Sequence, residues 1–447
     1  MTSMRQLERR QGSRGWSFYF AALLVFLILL GSLLSFLSAV AQDKKESSVD
    51  TSWIQEIEKI FVPSDQCKQC HDRHYEEWKG MREQTPDLKT FGRVDGALLH
   101  GTSLTSPVFR TVLGLWLQTE PTQEERTRCL SCHAPAVTVF PQHTDRIIEQ
   151  VSGVEKKKNA VEGIGCSACH LINGIQENSH AHPTFKIEPG PTMYGPYFEP
   201  EENLVHPSKQ VDLYRGAQYC ASCHFSKVKD VTRADLPGEI LKGTICQDCH
   251  MEQSTGSSTS KRGALTRPIG RHWFQGIVIP GIMLSNRNLQ AEWFPRVDIQ
   301  ATKKGDKVEG TVLVRNGSVP HMFPGGDPVL KQFFVTIRVK DEGGRIIEEQ
   351  QIRFGHTFPE LLRGPIPEPL VNGGTTRRIP FTIGVPDGLS SPRVEAVLSY
   401  ALIPEPTPEL QERYLSTLAT DKEREAAQKI IKDYSSQRLI TFRTTTL

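Results

Sequence analysis

Three kinds of hydrophobic patterning follow one another along the chain. Residues 16–41 carry no charge and are dominated by Leu, Phe, Val, Ile and Ala. As a helix they would reach about 39 Å, more than the ~30 Å hydrocarbon core of a bilayer. The stretch 61–285 has few long apolar periods and is rich in Pro, Gly, Ser and charge, which predicts short helices and loops. From about residue 286 the pattern becomes alternation: 297–301, 333–339 and 394–398 alternate, and 308–314 also reads as a strand. Asp341-Glu342-Gly343-Gly344 is a turn between strands 333–340 and 345–354. A further strand, 375–385, closes at Pro386-Asp387-Gly388, and 439–442 is the last. One helix, 408–434, interrupts them with LQERYLSTL and EREAAQKIIKDY at helical period. Six to seven short strands at this spacing predict a β-sandwich.

The expected fold is therefore α+β and multidomain. An N-terminal transmembrane helix precedes a mostly α or irregular domain, followed by a C-terminal β-sandwich with one helix. The expected boundaries are 1–42 for a membrane anchor or signal peptide, 43–60 for a linker, 61–285, and 286–447.

Charge settles orientation rather than fold. Arg5, Arg9, Arg10 and Arg14 precede the apolar segment, and the positive-inside rule places that end in the cytoplasm and the rest outside it. Ala39-Val40-Ala41 before Gln42 has the form of a cleavage site, but secretory apolar cores run only ~7–15 residues. The length favours a retained anchor in a bacterial cytoplasmic membrane, with the functional domains on the periplasmic or extracellular side. The balance of 53 basic and 51 acidic residues, with no basic cluster, gives no sign of nucleic-acid binding.

All ten cysteines fall into five Cys-x-x-Cys-His units: Cys67/Cys70/His71, Cys129/Cys132/His133, Cys166/Cys169/His170, Cys220/Cys223/His224 and Cys246/Cys249/His250. Cysteines three apart on a helical turn face one side, so both thiols can form thioethers with one porphyrin. The following histidine is then placed to bind the iron. With 14 histidines in 447 residues, finding one after all five pairs by chance has a probability of about 3 × 10⁻⁸. Structural zinc usually takes two such pairs per ion, leaving a fifth without a mate, and disulfides give the histidines no role. The pattern implies five c-type haems, with His71, His133, His170, His224 and His250 as proximal ligands. Successive first cysteines are 62, 37, 54 and 26 residues apart, so there is no fixed repeat. Residues such as 183–207 could not pack a core alone, and the macrocycles would stand in for one. Five haems with ionised propionates would bring the exported part to about −6 when oxidised, which suggests a basic-surfaced redox partner.

Nine histidines lie outside the motifs: His74, His100, His143, His180, His182, His206, His272, His321 and His356. Around them stand CKQCHDRHYEEW, LLHGTSLTSPVFRTV, CLSCHAPA, EGIGCSACH, YGPYFEPEENLVHPSKQVDLYRGAQYCASCH, ICQDCHM and RHWFQG. This succession resembles the multihaem cytochromes of the cytochrome c-554 type, including relatives with a carboxy-terminal β-domain. The resemblance covers roughly residues 61–280 and, more loosely, the remainder. It implies electron carriers whose haems are mostly held by two histidines, and it favours His100, His206 and His272 as distal ligands. VRNGSVPHMFPGGD is similar to a turn in the β-domain of these relatives, which implies that His321 reaches back to a haem; Met322 is an alternative. For the fifth distal ligand His182 is the choice, with His143 and His356 behind it. His74, three residues after His71, is expected to face solvent.

The expected function is electron transfer between redox partners, a membrane-side donor and an exported acceptor, in a respiratory chain. Irons with histidine on both faces have no free position for substrate, so no catalytic residue is assigned. Two other classes stay open. One is an oxidoreductase acting on a small nitrogen compound at one five-coordinate haem. The other is a haem-wiring structural subunit of a larger membrane complex.

Overall fold

In the computed structural model of the protein, structure is described for residues 51–79, 100–152, 161–175, 185–200, 205–224, 245–251, 253–272, 274, 295–316, 321–323, 330–361, 363 and 368–447. The apolar segment 16–41 lies outside them; among the described residues no helix is long and apolar enough to cross a membrane. The chain forms two compact units, Met1–Trp53 and Ile54–Leu447.

The second unit is mixed and multidomain in architecture. Its amino-terminal part is built of short helices, most of them five to eleven residues long. The helix Pro107–Leu117 is the exception in burial, with nine successive residues from Val108 to Trp116 buried on all sides. Ser106 caps it, its hydroxyl accepting the Phe109 amide, and Pro107 supplies a preset first turn. Three two-stranded ribbons join the helices: β1 (Ile172–Ile175) with β2 (Phe185–Ile187), β3 (Met193–Gly195) with β4 (Ser208–Gln210), and β5 (Gln253–Gly256) with β6 (Arg267–Gly270). Sequence patterning did not anticipate them, because strands of three or four residues are too short to show alternation.

The carboxy-terminal part is sandwich-like. Strands β7 (Arg296–Lys304), β8 (Lys307–Arg315) and β11 (Thr376–Gly384) form one sheet, in the order β11-β8-β7. Strands β9 (Gln332–Lys340), β10 (Ile346–Phe354), β12 (Arg393–Ala401) and β13 (Arg438–Thr446) form the other, in the order β10-β9-β12-β13. Alternate residues of both sheets, among them Val297, Val312, Val335, Ile337, Phe381, Val394 and Leu398, build one apolar core. The β9–β10 turn falls where Gly344 takes a left-handed conformation that glycine tolerates. The expected single helix over 408–434 is two, Pro408–Ser416 and Asp421–Ser435. Thr420 starts a second helix by a capping box with Glu423, and such reciprocal capping breaks a continuous period. Strand β13 extends beyond the expected 439–442, because its Thr-rich end pairs with β12 up to Arg393↔Thr446.

These two helices pack against Pro107–Leu117, where Tyr414 is fully buried on Gly114. Arg363 adds a clamp, donating to the Thr119 and Glu120 carbonyls (3.0 and 3.1 Å) and pairing with Glu125 (3.0 Å). A Cβ at Gly114 would run into the Tyr414 ring. Gly114→Leu should therefore cost about 1–3 kcal/mol by overpacking. A thermal melt would show it as a lower Tm, and an unchanged Tm would mean that this contact does not hold the helices in place.

Candidate haem-binding site

Each Cys-x-x-Cys-His motif closes a helical turn, which is what brings its two thiols to one side. In the first, the Cys70 and His71 amides donate to the Cys67 carbonyl (3.1 and 2.9 Å); in the fourth, Cys223 and His224 do the same to Cys220 (3.3 and 2.9 Å). Nine of the ten expected thioether cysteines have described side chains; they are half-buried and form no disulfide among themselves. The tenth, Cys249, is expected to make the second link to the fifth haem. Its backbone belongs to the helix Cys246–His250, but its side chain lies outside the described residues. The attachment geometry of the fifth motif is therefore seen only at Cys246 and His250.

Motifs far apart in sequence are neighbours in space. The Cys67 thiol lies beside that of Cys166, Cys223 beside Cys132, and Cys220 beside Cys246. The Tyr214 and Tyr219 hydroxyls donate to the Cys169 carbonyl, at 2.7 and 3.2 Å, and tie the fourth motif to the third. All five motifs thus belong to one connected cluster.

Four motif histidines meet a histidine from elsewhere in the chain. The ring centres of His71 and His206 lie 6.2 Å apart, those of His170 and His272 6.3 Å, and those of His250 and His321 6.4 Å. In these three pairs the planes are inclined by only 27–32°. The fourth pair, His224 and His100, is 6.3 Å apart but nearly perpendicular, at 78°. A metal held at about 2 Å by one nitrogen of each ring leaves the ring centres roughly 6 Å apart, so the spacing fits an iron between them.

Hydrogen bonding selects the nitrogen that would face it. Nδ1 of His71 lies 2.6 Å from the Ser258 carbonyl, that of His170 2.7 Å from Tyr194, that of His272 3.1 Å from Gly270, and that of His321 2.9 Å from Met322. His206 Nδ1 lies 3.3 Å from the Pro207 carbonyl. A ring that donates through Nδ1 leaves Nε2 as the lone-pair nitrogen. Burial favours the same neutral form: it pushes His71 and His170 down, His272 well below the imidazole range, and His100 to about 4.

The remaining candidates are placed differently. His133 stacks on Phe109, their ring centres 4.4 Å apart. His182, expected opposite the fifth iron, and His180 lie outside the described residues. His143 has its Nε2 on the Glu56 carboxylate at 3.0 Å, which occupies the nitrogen an iron would need. His356 is buried. His74 does not face solvent as expected: it is half-buried, 4.5 Å from the His272 ring. It also lies 6.4 Å from His71, but as the i+3 residue of one helical face it sits beside that ring. The helix Asp72–Trp78 turns it inward, a consequence that short sequence separation alone does not reveal.

Comparison with known proteins bears on the family and the fold. The family described as "Cytochrome c554 and c-prime" matches residues 110–171, which hold the second and third motifs. The fold is similar to that of a penta-heme cytochrome c552 from Thermochromatium tepidum, with a TM-score of 0.51 and 16% identity, covering 87% of this chain and 100% of that one. Spo0M, a sporulation control protein from Bacillus subtilis, aligns over 24% of this chain and 43% of its own, at 17% identity and a TM-score of 0.12. No curated protein matches the sequence. The clustered motifs sit in a fold similar to that of a penta-heme cytochrome. The family match over residues 110–171 and the shared fold together support a multihaem c-type cytochrome.

Proposed function

We propose that the chain holds five c-type haems and passes electrons between redox partners in a respiratory chain, as an exported protein anchored by residues 16–41. The observation that carries this reading is the set of four imidazole pairs at iron-bridging distance. In the proposed assignment His206, His100, His272 and His321 are the distal ligands of the first, fourth, third and fifth motifs. His182 is proposed for the second, and Cys249 for the second thioether of the fifth. When bound, each haem supplies a one-electron change at its iron. The protein's part is to keep the imidazoles neutral and aimed, and to bar other ligands. Backbone carbonyls on Nδ1 hold the rings still, which limits rearrangement when charge changes. Contacts between motifs one and three, three and four, four and two, and four and five support a branched path with the fourth motif at its centre.

The membrane side, the basic-surfaced partner and the respiratory setting belong to the same proposal, supported by the arginines before residue 16 and by haem propionate charge. Spectropotentiometric titration of the purified, haem-loaded protein tests it. Five electrons should enter and leave each chain reversibly, without carbon monoxide displacing a ligand from the four paired haems. Uptake of fewer electrons, or carbon monoxide binding at several haems, would overturn the reading.

A further inference from the structure

Glu77 is buried, at 3% exposure, on the helix that follows the first haem motif. Its Oε1 pairs with the Arg271 guanidinium at 2.7 Å and with that of Arg73 at 3.1 Å. Its Oε2 accepts the backbone N–H of His272 at 2.9 Å. Arg73 reaches on to the Ser254 hydroxyl of β5, at 3.3 Å. A buried carboxylate is costly unless its charge is met and its lone pairs are used. Here two guanidinium groups meet the charge. The third contact goes to the residue whose imidazole stands 6.3 Å from His170.

The neighbouring His74, Glu77 and His272 have ligand atoms within 4.8 Å of one another. The two arginines on the carboxylate would repel a free cation, and His272 Nδ1 is already on the Gly270 carbonyl. The cluster therefore serves the imidazole and not a separate ion.

We propose that Glu77 is a positioning residue: from the first motif's helix it holds His272 against the third motif's iron, and its charge lowers that iron's potential. This rests on the assignment of His170 and His272 as one axial pair. Replacing Glu77 would leave the His272 amide without its acceptor and Arg73 and Arg271 without their counter-charge. The first effect loosens the ligand; the second favours the ferrous state.

The test uses the full-length, haem-loaded protein and three variants, with haem content measured alongside. H272A should turn one haem high-spin in the electron paramagnetic resonance spectrum. E77A should make the same haem partly high-spin, with cyanide capturing it roughly 10- to 100-fold more readily than in the parent. E77Q keeps an acceptor for the amide, so that haem should stay low-spin while its midpoint potential rises. Should E77A load haem poorly, E77Q alone decides, through the potential. The proposal is overturned if H272A turns high-spin while E77A and E77Q keep the parent's spectrum and potentials. If H272A itself stays fully low-spin, the axial assignment beneath it falls instead.

Discussion

Replacing His321 with alanine should turn one haem of the oxidised protein from low-spin to high-spin and open it to carbon monoxide when reduced. His321 lies between β8 and β9, on a segment fastened at both sides. Asn316 Nδ2 donates to its carbonyl at 2.9 Å, and Phe323 pairs with Val371 across an isolated bridge. Phe323 is buried in the sandwich core, so the segment should keep its shape when the imidazole is removed. What goes is the ring 6.4 Å from His250. An iron that loses one of two strong-field axial ligands becomes high-spin and takes exogenous ligands. The effect should equal about one haem per chain, with thermal stability of the sandwich nearly unchanged. An all-low-spin H321A protein would remove the second domain from the haem chemistry, or would point to Met322 as the replacement ligand.

Replacing His100 should act as strongly, and with a distinct signature. The His100 and His224 planes cross at 78°, whereas the other three pairs lie within 27–32°. Near-parallel imidazoles split the iron's two π-type d orbitals; perpendicular ones leave them close in energy, and the low-spin ferric signal becomes strongly anisotropic. The protein holds this crossing partly through Phe274, whose ring meets His100 edge-on, with centres 4.3 Å apart. The oxidised protein should therefore show one highly anisotropic low-spin signal beside more rhombic ones. His100→Ala should abolish that signal and leave a high-spin haem in its place. Phe274→Ala should keep the iron low-spin while moving its signal towards the rhombic group. Persistence of the anisotropic signal in H100A would show that another pair produces it.

The motifs were legible because their chemistry is local. Two cysteines and a histidine within five residues specify a haem attachment before any fold is known. The strands of the sandwich were legible for a related reason: β7 and β11 bury alternate residues and write a period of two into the sequence, while β9 and β12 are buried on nearly every residue and stand out as apolar runs. Strand β13 was cut short in that reading because half of it is RTTT, which pairs through backbone without apolar alternation. The break at Thr420 was hidden by a helical period that runs through it. Pairings between histidines are a product of tertiary structure. Nothing local joins His206 to His71, and only resemblance pointed to His206, His272, His100 and His321. His74 was misjudged because separation along the chain says little about which way a helix turns a ring. Glu77 carried no signal at all: a single glutamate in an acidic helix looks like surface until Arg73 and Arg271 are seen to enclose it.

The central claim is that histidines cap at least four haem irons on both faces. Spin quantitation of the fully oxidised, haem-loaded protein by electron paramagnetic resonance tests it most directly. The account predicts low-spin ferric signals that integrate to at least four irons per chain, one of them highly anisotropic. High-spin signals amounting to two or more irons per chain would contradict it.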